Sequence, residues 1–498
     1  MTSTPTAHVF QNVIGGKQLH AESQQTFPNY NPATNELLGY FPLSGAAEAN
    51  AAVAAARTAF DTWRLVPAPK RGEILYRVGE LLTRHKEELA RTMTQEMGKV
   101  LKETRGDVQE GIDMAYYMGG EGRRLFGYSV PVELPNKSGM AMRDPVGVVA
   151  CITPWNFPIA IPTWKMFPAL VAGNTVVIKP ASDTPLSALR LVEMLYEAGL
   201  PDGVVNIVFG PGGTVGEALV HHPDVAVVSF TGSTESGRHV AIEAAKSLKR
   251  VSLEMGGKNA VIVLDDADLD LAVEGILWSA YGTTGQRCTA CSRVIVQQAV
   301  RNALIEKLVP RIEQLRLGNG LDEQVDVGPI INASQLEKIH SYTEVGKAEG
   351  ATLVTGGSIA DEGELARGHF YRPTLFTDVK PDIRLAQEEI FGPTLSVIDA
   401  ASFDEAIAIN NNTKFGLSSA IYTQDVNRVQ RAIRDITTGI LYINSGTTGA
   451  EIQLPFGGTR GTGNGHREAG IAGLDVFTEW KVVYTDYSGK LQKAQIDS

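Results

Sequence analysis

Two short segments of the chain carry a thiol and a carboxylate in surroundings suited to chemistry. Cys288 lies in a glycine-containing turn directly after Arg287, and a neighbouring cation favours the thiolate that acts as a nucleophile. Glu254 ends an apolar run, where partial burial raises the pKa of a carboxyl group toward that of a general base. A thiol that takes up a substrate covalently and a carboxylate that activates water would together perform acyl-enzyme chemistry.

Other interpretations of the same residues stay open. A free cysteine is most often a small core residue, and a glutamate after a strand is most often a solvated strand end. Cys288 and Cys291 also form a Cys-x-x-Cys, the pattern of a redox pair or of half a metal site. Because Cys151 is the remaining cysteine and no second such pair exists, we expect no metal site.

The elements that must position these residues alternate between helix and strand. Apolar residues recur at helical spacing over 53–63, 74–82 and 102–124. Short β-branched runs then alternate with helical patterns, and a second series of the same kind follows from 259 to 444. The predicted strands of the two series are 148–152, 175–178, 204–208, 226–230 and 251–253, and 261–264, 294–296, 395–398, 419–422 and 439–443. This alternation predicts an α/β fold with two doubly wound, Rossmann-like domains.

Two further segments have the pattern of a small β element. Residues 125–146 are irregular, strand-like and contain Pro131, Pro135 and Pro145, which fits a hairpin that protrudes from the body. From residue 479 the chain returns to strand alternation and resembles an edge strand.

The turns after the strands of the first series favour phosphate binding. The turn 210–216 is rich in glycine, but its third glycine falls one residue late for the dinucleotide fingerprint. The turn 230–234 leads into a helix N-terminus, and Lys179 places a cation at the end of another strand. Since such turns meet at one edge of a parallel sheet, we expect a nucleotide there.

Composition excludes several classes of protein. The chain has 498 residues, 43% hydrophobic and 20% charged, as expected for a globular protein of more than one domain. A formal net charge of −11 argues against a nucleic-acid or anionic-membrane surface. The longest apolar stretch, 147–173, is interrupted by prolines, Asn156 and Lys165, so we expect no membrane span. Few cysteines and no visible secretory signal favour the cytoplasm.

A series of motifs in one order resembles the aldehyde dehydrogenase superfamily, whose NAD(P)-dependent members oxidise aldehydes to acids. The resemblance covers nearly the whole chain. The matching segments are 153–158 (TPWNFP), 178–180 (IKP), 230–234 (FTGST), 254–258 (EMGGK), 285–288 (GQRC), 389–393 (EIFGP) and 455–458 (PFGG).

The resemblance implies a role for each matching residue. Cys288 corresponds to the nucleophile, Asn156 to the amide that holds the tetrahedral oxygen, and Glu254 to the base that activates water for thioester hydrolysis. Lys179 and Glu389 correspond to residues that bind the cofactor riboses. We also expect Lys179 to be one of the catalytic residues. The full set of expected cofactor contacts is Ile152, Thr153, Pro154, Trp155, Lys179, Ser182, Gly212, Gly216, Phe230, Gly232, Ser233, Glu389 and Phe391.

The family also implies a division of the chain. A cofactor domain would comprise 1–124 and 147–254, and a catalytic domain 255–455. An oligomerisation element would comprise 125–146 and 479–498, and residues 456–478 would return toward the cofactor domain. We therefore expect a homodimer or homotetramer.

Ser182 departs from the pattern of NAD-preferring members, which often carry a glutamate three residues after the motif lysine. A serine offers no anion that would repel a 2′-phosphate. We therefore expect the cofactor to be NAD or NADP.

The substrate is less constrained by the sequence. Phe157, Ile161, Trp164 and Phe456 correspond to an apolar aldehyde tunnel. Arg287 also occurs in members that act on semialdehydes or phosphorylated aldehydes, which makes it a candidate anion anchor, although a structural ion pair is an equal alternative. Residues 107–110 resemble the aminoadipate-semialdehyde branch, where a glutamate meets the substrate ammonium, yet Glu110 is more simply a surface helix charge.

Two non-catalytic or regulatory alternatives complete the hypotheses. Some family members are structural proteins, such as lens crystallins, with damaged sites, but Cys288, Glu254 and Asn156 are intact here. A disulfide between Cys288 and Cys291 would silence the nucleophile and make the protein a redox sensor.

Overall fold

The computed structural model describes residues 8–493. A first sheet contains parallel strands and an antiparallel edge. Its spatial order is Arg250–Glu254, Val225–Thr231, Val148–Ile152, Thr175–Lys179, Val205–Ile207, Asn12–Ile14 and Lys17–Leu19, of which the last two are antiparallel. The inner strands are buried along their whole length, as continuous β-branched runs in a parallel sheet require.

Helices cover this sheet. They are Ala46–Trp63, Ala68–Arg84, Lys86–Met97, Leu101–Glu121, Ala160–Ala172, Pro185–Glu197, Glu217–His221 and Thr234–Ala245. The helix Ala160–Ala172 is buried at every position, so it lies inside the molecule rather than on its surface. A π-helical turn, Gly212–Gly216, precedes the helix Glu217–His221.

A second sheet is parallel except at one edge. Its order is Thr352–Thr355, which is antiparallel, then Thr374–Thr377, Thr394–Ala400, Cys291–Gln297, Asn259–Val263, Ser418–Tyr422 and Ile440–Ile443. Its helices are Leu269–Tyr281, Gln298–Glu313, Ala333–Ala348, Arg384–Gln387, Phe403–Asn411 and Val426–Asp435.

Smaller elements complete the fold. The strands Tyr128–Val130, Lys137–Pro145 and Thr478–Asp486 form an antiparallel sheet, which we call the hairpin sheet. Other short elements are the strand pairs Thr26–Tyr30 with Leu37–Pro42 and Ile359–Ala360 with Phe370–Tyr371, and the 3-10 turns Gly282–Gly285, Gly363–Arg367, Arg460–Thr462 and Ile471–Leu474.

The predicted α/β class with parallel sheets is confirmed. The segment 456–478 runs along the edge of the first sheet, where Glu254 pairs with Gly463 and Met255 N donates to Thr462 O at 2.7 Å. The domain boundaries and the role of the hairpin sheet stay predictions. Within 8–493, no helix is both long and apolar enough to cross a membrane, and no group of side chains has the composition of a metal site.

Candidate active site

Glu254 ends a strand of the first sheet, Cys288 precedes a strand of the second sheet, and both residues line one cavity. Glu254 is the last residue of the edge strand Arg250–Glu254, and Cys288 lies in the loop before the strand Cys291–Gln297. Asn259, at the start of a neighbouring strand, holds that loop because its side-chain amide donates to Cys288 O at 2.6 Å and to Ala290 O at 2.9 Å.

Two cavities share the Cys288 thiol. Ile161, Thr231 and Met255 also line both of them. The first cavity contains Glu254, and the second contains Asn156 and Glu389. The thiol therefore stands where molecules bound in the two cavities would meet.

The first cavity contains all the residues predicted to bind the aldehyde. These are Phe157, Ile161, Trp164, Arg287 and Phe456, joined by Thr289, Thr448, Gly449 and Ala450, which the sequence did not indicate. The rings of Trp164 and Phe456 meet edge to face with centroids 5.0 Å apart. The wall is therefore mainly apolar and aromatic, with Arg287 as its cation.

Glu254 has the environment of a general base with a raised pKa. Its side chain is 3% exposed, and neither carboxylate oxygen has a hydrogen-bond partner among the described residues. Burial raises its pKa well above the ordinary value, and the neighbouring Glu468 raises it further. The raised pKa agrees with the expectation from the apolar run that precedes it.

A buried ion pair lies beside Glu254 and was missed by sequence reasoning. Lys165 forms a salt bridge with Glu468 and donates to Ser229 Oγ at 3.1 Å. Lys165 interrupts the apolar stretch 147–173, and a lysine inside an otherwise buried helix was the available signal. Nothing in the sequence indicated its partner, which is about three hundred positions away along the chain.

The expectation that Arg287 favours a thiolate at Cys288 is wrong for this structure. Burial raises the pKa of the Cys288 thiol to about 12, and the carboxyl groups of Glu389 and Glu254 contribute to the increase. Arg287 instead directs its guanidinium away, to Glu103. Adjacency in the chain does not fix the direction of a side chain.

Arg287 is held in a structural ion pair while it lines the first cavity. Its Nη2 lies 2.9 Å from Glu103 Oε1, and its Nε donates to Thr283 Oγ1 at 2.7 Å. The guanidinium carbon lies 5.6 Å from the ring centre of Phe157 and 5.2 Å from that of Trp278. Nη1 has no hydrogen-bond partner among the described residues. Arg287 can therefore keep its ion pair with Glu103 and still offer Nη1 to an anionic ligand.

The Glu103 carboxylate of this ion pair also supports strained backbone before Cys288. Thr283 and Thr284 have φ values of 52° and 58°, which β-branched residues rarely adopt. Both carboxylate oxygens of Glu103 accept from Thr283 N, at 2.8 and 2.9 Å, and Thr284 Oγ1 donates to Gly328 O at 3.0 Å. These bonds hold the turn in place.

Glu110 is not the surface charge that its position in a helix indicated. It lines the first cavity together with Cys288 and Arg287. Burial raises the pKa of its carboxyl group to about 8, and Asp107 contributes to the increase. The sequence motif around it was informative, but the simpler interpretation was wrong.

The second cavity contains much of the predicted cofactor site. Its lining includes the predicted cofactor contacts Pro154, Trp155, Gly232, Ser233, Glu389 and Phe391, the predicted catalytic Asn156, and the unpredicted Gln335 and Lys338. Asn156 Nδ2 donates to Gln286 O at 3.0 Å, which fixes the amide close to the nucleophile loop. Trp155 and Phe391 meet edge to face at 5.3 Å and form a wall.

The residues around the second cavity fit a dinucleotide. The Thr231 hydroxyl, which lines both cavities, has no hydrogen-bond partner among the described residues. A Cβ on Gly256 would stand 2.2 Å from Glu389 Oε2, so only glycine admits the carboxylate there. At the turn Gly212–Gly216, by contrast, nothing lies within 4 Å of a Cβ added to Gly212, which leaves the glycine turn open to a ligand.

Comparison with known proteins gives the family. A sequence model described as the aldehyde dehydrogenase family matches residues 19–483. The chain belongs to the aldehyde dehydrogenase family. This aldehyde dehydrogenase is 43% identical over 479 residues to the alpha-ketoglutarate semialdehyde dehydrogenase of Haloferax volcanii, covering 96% of this chain and 99% of the relative. It is 41% identical over 471 residues to the glutarate-semialdehyde dehydrogenase of Pseudomonas putida, covering 95% and 96%.

A solved structure supports the same conclusion. The betaine aldehyde dehydrogenase of Staphylococcus aureus, determined in complex with NAD+, superposes with a TM-score of 0.95 at 34% identity and covers 98% of this chain and 97% of its own. The resemblance deduced from the motifs is thus confirmed, and the protein is an oxidoreductase that acts on aldehydes.

The remaining predicted cofactor residues of this aldehyde dehydrogenase surround the carboxyl edge of the first sheet. Lys179 is buried, and its Nζ donates to Pro180 O at 2.7 Å and Gly210 O at 3.1 Å. Burial lowers the pKa of Lys179 to about 8. Ile152, Thr153, Ser182, Gly216 and Phe230 lie at the ends of the same strands or in the turns that follow them.

Proposed function

We propose that this aldehyde dehydrogenase oxidises semialdehydes, which are aldehydes with a distal carboxylate, to dicarboxylates with NAD or NADP as the oxidant. The observation that carries the proposal is the presence of Arg287 and Cys288 in the wall of one cavity. Relatives that share more than two fifths of their residues with this chain are named for such substrates. The apolar wall between anion anchor and thiol suits a short methylene chain.

In the first step, the Cys288 thiol loses its proton to water, Sγ attacks the aldehyde carbon, and a tetrahedral hemithioacetal oxyanion forms. The oxygen of the former carbonyl receives hydrogen bonds from Asn156 Nδ2 and the Cys288 backbone N–H. Asn156 is held for this purpose by its bond to Gln286 O at 3.0 Å. The apolar rings of Trp164 and Phe456 exclude water from the methylene chain of the substrate.

Glu389, Phe391 and neighbouring residues of the second cavity would hold the cofactor, whose oxidised nicotinamide, when bound, would supply the hydride acceptor that converts the hemithioacetal into a thioester on Cys288. The rings of Trp155 and Phe391 exclude water from the second cavity and from the reacting carbon.

In the last step, Glu254 takes a proton from water, and the hydroxide adds to the thioester carbon. The C–S bond then breaks, which releases the carboxylic acid and restores Cys288. Glu254 lacks hydrogen-bond partners among the described residues, so both oxygens are free to bind water. Its raised pKa makes it a stronger base once it is ionised.

The test compares glutaric semialdehyde with hexanal in Arg287→Ala. Removing a charged hydrogen-bond donor should lower kcat/KM for glutaric semialdehyde by about 10- to 100-fold, while the value for hexanal falls much less. Arg311→Ala, which removes a surface arginine paired with Glu274 at 2.7 Å, is the matched control and should change neither value. Equal losses on both aldehydes would show that Arg287 serves only the turn it shares with Glu103.

We also propose that the enzyme accepts both NAD and NADP. The Ser182 hydroxyl lies 3.4 Å from Gly210 O, and serine presents no carboxylate to repel a 2′-phosphate. Measurement of kcat/KM with each cofactor at a fixed aldehyde concentration tests this. A preference for NAD above about a hundredfold, equivalent to ~2.7 kcal/mol, would contradict it.

We further propose that the enzyme works in the cytoplasm as a homodimer or homotetramer. The cysteines are free, as a reducing compartment favours. Apolar side chains are exposed along the hairpin sheet, which fits a surface covered by another copy of the chain.

A further inference from the structure

The helix Leu101–Glu121 carries three acidic residues at helical spacing, and one of them, Glu110, lines the first cavity. Glu103, Asp107 and Glu110 lie on one face because they are separated by four and three positions. The carboxylates of the first two are fully engaged by the protein. Glu103 binds Arg287 and the backbone of Thr283, whereas Asp107 accepts from Lys99 Nζ and Ala160 N, both at 2.7 Å.

Glu110 differs from both of its neighbours. Its carboxyl group has no hydrogen bond or ion pair with the described residues, yet it lines the cavity that contains Cys288. The free energy needed to place an unpaired carboxyl group in a mainly apolar cavity is much higher for the anion than for the neutral acid. It is therefore available to a bound molecule.

The charges around the distal part of the cavity nearly cancel. Lys99 is paired with Asp107, and Arg287 with Glu103, so an ionised Glu110 would leave one net negative charge there. A neutral Glu110 leaves no net charge and adds an O–H donor to the cavity that Arg287 also lines. Two donors without a net negative charge suit a carboxylate, whereas an ionised Glu110 suits a cation.

We propose that Glu110 is a specificity-determining residue that binds the distal carboxylate of the substrate as a neutral acid. The Glu110 O–H donates to one carboxylate oxygen, and Arg287 Nη1 donates to the same carboxylate. This inference rests on the proposed function, because it assigns the group that completes the anion anchor. Binding of the anion favours the protonated form of Glu110. When Glu110 loses its proton, the cavity prefers a cationic substrate to an anionic one.

The surroundings of Glu110 place its titration in an accessible range. Burial and the acidic neighbours raise its pKa to about 8, against the opposing influence of the nearby cations. A group with this pKa is mostly neutral at pH 7 and mostly ionised at pH 9. The charged and titratable groups that face it are Lys99, Asp107, Asp113, Arg287 and Tyr442.

The experiment measures KM from pH 7 to pH 9 for glutaric semialdehyde, hexanal and betaine aldehyde. If only the neutral acid binds the anion, KM for glutaric semialdehyde should rise about tenfold relative to hexanal, because a pKa near 8 makes the neutral fraction fall by that factor. KM for betaine aldehyde, a permanent cation, should fall relative to hexanal. Dividing each KM by the KM for hexanal removes the effects of Cys288 and Glu254 titration, because these effects act on all three substrates.

Glu110→Gln keeps a donor but cannot ionise, so both relative KM values should become independent of pH. Glu364→Gln is the matched control, since Glu364 is an exposed acid that pairs with Arg367 and lines neither cavity. It should retain the pH dependence of the wild-type enzyme. The same dependence in Glu110→Gln would overturn the assignment.

Calorimetry on the wild-type enzyme supplies a test that needs no variant. Glutarate binding at pH 8.5, measured in buffers of different ionisation enthalpy, should show uptake of a substantial fraction of one proton, as linkage requires. Absence of proton uptake together with a flat KM ratio would overturn the inference about Glu110 alone. A wild-type enzyme that prefers hexanal at every pH would overturn the proposed function instead.

Discussion

Burial raises the pKa values of both Cys288 and Glu254. The pKa of Cys288 lies near 12, and that of Glu254 lies well above its ordinary value, in both cases because the groups are removed from water. Glu254 and Glu468 also disfavour simultaneous ionisation, although Lys165 partly offsets this repulsion. In the proposed mechanism the thiol acts first and the carboxylate last.

Glu254→Gln should separate the two halves of the reaction. We expect a burst of reduced cofactor close to one equivalent per site and then a steady-state kcat about 10²- to 10⁴-fold below that of the wild type, because the thioester forms but is not hydrolysed. Stopped-flow absorbance of the reduced cofactor provides the measurement. Normal turnover in this variant would show that another group activates the water.

The raised pKa of Glu254 fixes the sign of the pH dependence. Only the ionised carboxylate accepts a proton, so the rate of thioester hydrolysis should rise with pH through a pKa above the ordinary carboxyl range. The same rise should be absent from the residual turnover of Glu254→Gln. A rate that is already constant at acidic pH would contradict the burial of this group.

At the scale of elements, the helix Leu101–Glu121 connects parts of the site that are distant in sequence. Through Glu103 it holds the turn Gly282–Gly285, and through Asp107 it binds the first N–H of the helix Ala160–Ala172, which carries Ile161 and Trp164. One helical face therefore sets both the position of the nucleophile loop and the wall of the first cavity. A rigid helix is a suitable element for this because its side-chain spacing is fixed.

Local sequence patterns predicted the helix itself but not the residues that it contacts. Its apolar spacing predicted residues 102–124, and the structure has Leu101–Glu121. Arg287, which pairs with Glu103, is 184 positions away, and no local pattern specifies such a contact. The motif residues around Cys288 could be predicted because their types and order are unusual, whereas Glu468 is an ordinary glutamate until its buried partner is known.

The N-terminal strands show another limit of local patterns. Asn12–Ile14 and Lys17–Leu19 are only a few residues long and form the antiparallel edge of the first sheet. Asn12–Ile14 is buried and Lys17–Leu19 is exposed, and three residues are too few to show a strand pattern in the sequence. The sequence therefore predicted the parallel interior of the sheet but not this edge.

At the scale of the whole molecule, the hairpin sheet presents an apolar face to its surroundings. Trp480, Val482 and Tyr484 alternate along the strand Thr478–Asp486 and are 49%, 56% and 68% exposed. Tyr128 packs beside Trp480 with ring centroids 5.5 Å apart, which extends the same face. A surface of this kind is typical of an interface between subunits.

Val482→Glu with Tyr484→Glu should reduce the size of the assembly. A charge placed at the centre of an apolar interface costs several kcal/mol when it is buried without a partner, so a dimer or tetramer should dissociate. Light scattering after size exclusion measures the mass. Thr485→Glu, on the opposite face of the same strand, is the control and should leave the mass unchanged. A wild-type protein that is monomeric at micromolar concentration would contradict the proposed oligomer.

The meeting of two cavities at one sulfur atom has a consequence for substitutions in their common wall. Because Ile161, Thr231 and Met255 line both cavities together with Cys288, a change in the volume of any of these side chains alters both spaces at once. Affinities for the molecules that occupy the two cavities should therefore change together, even when a substitution is designed for one of them.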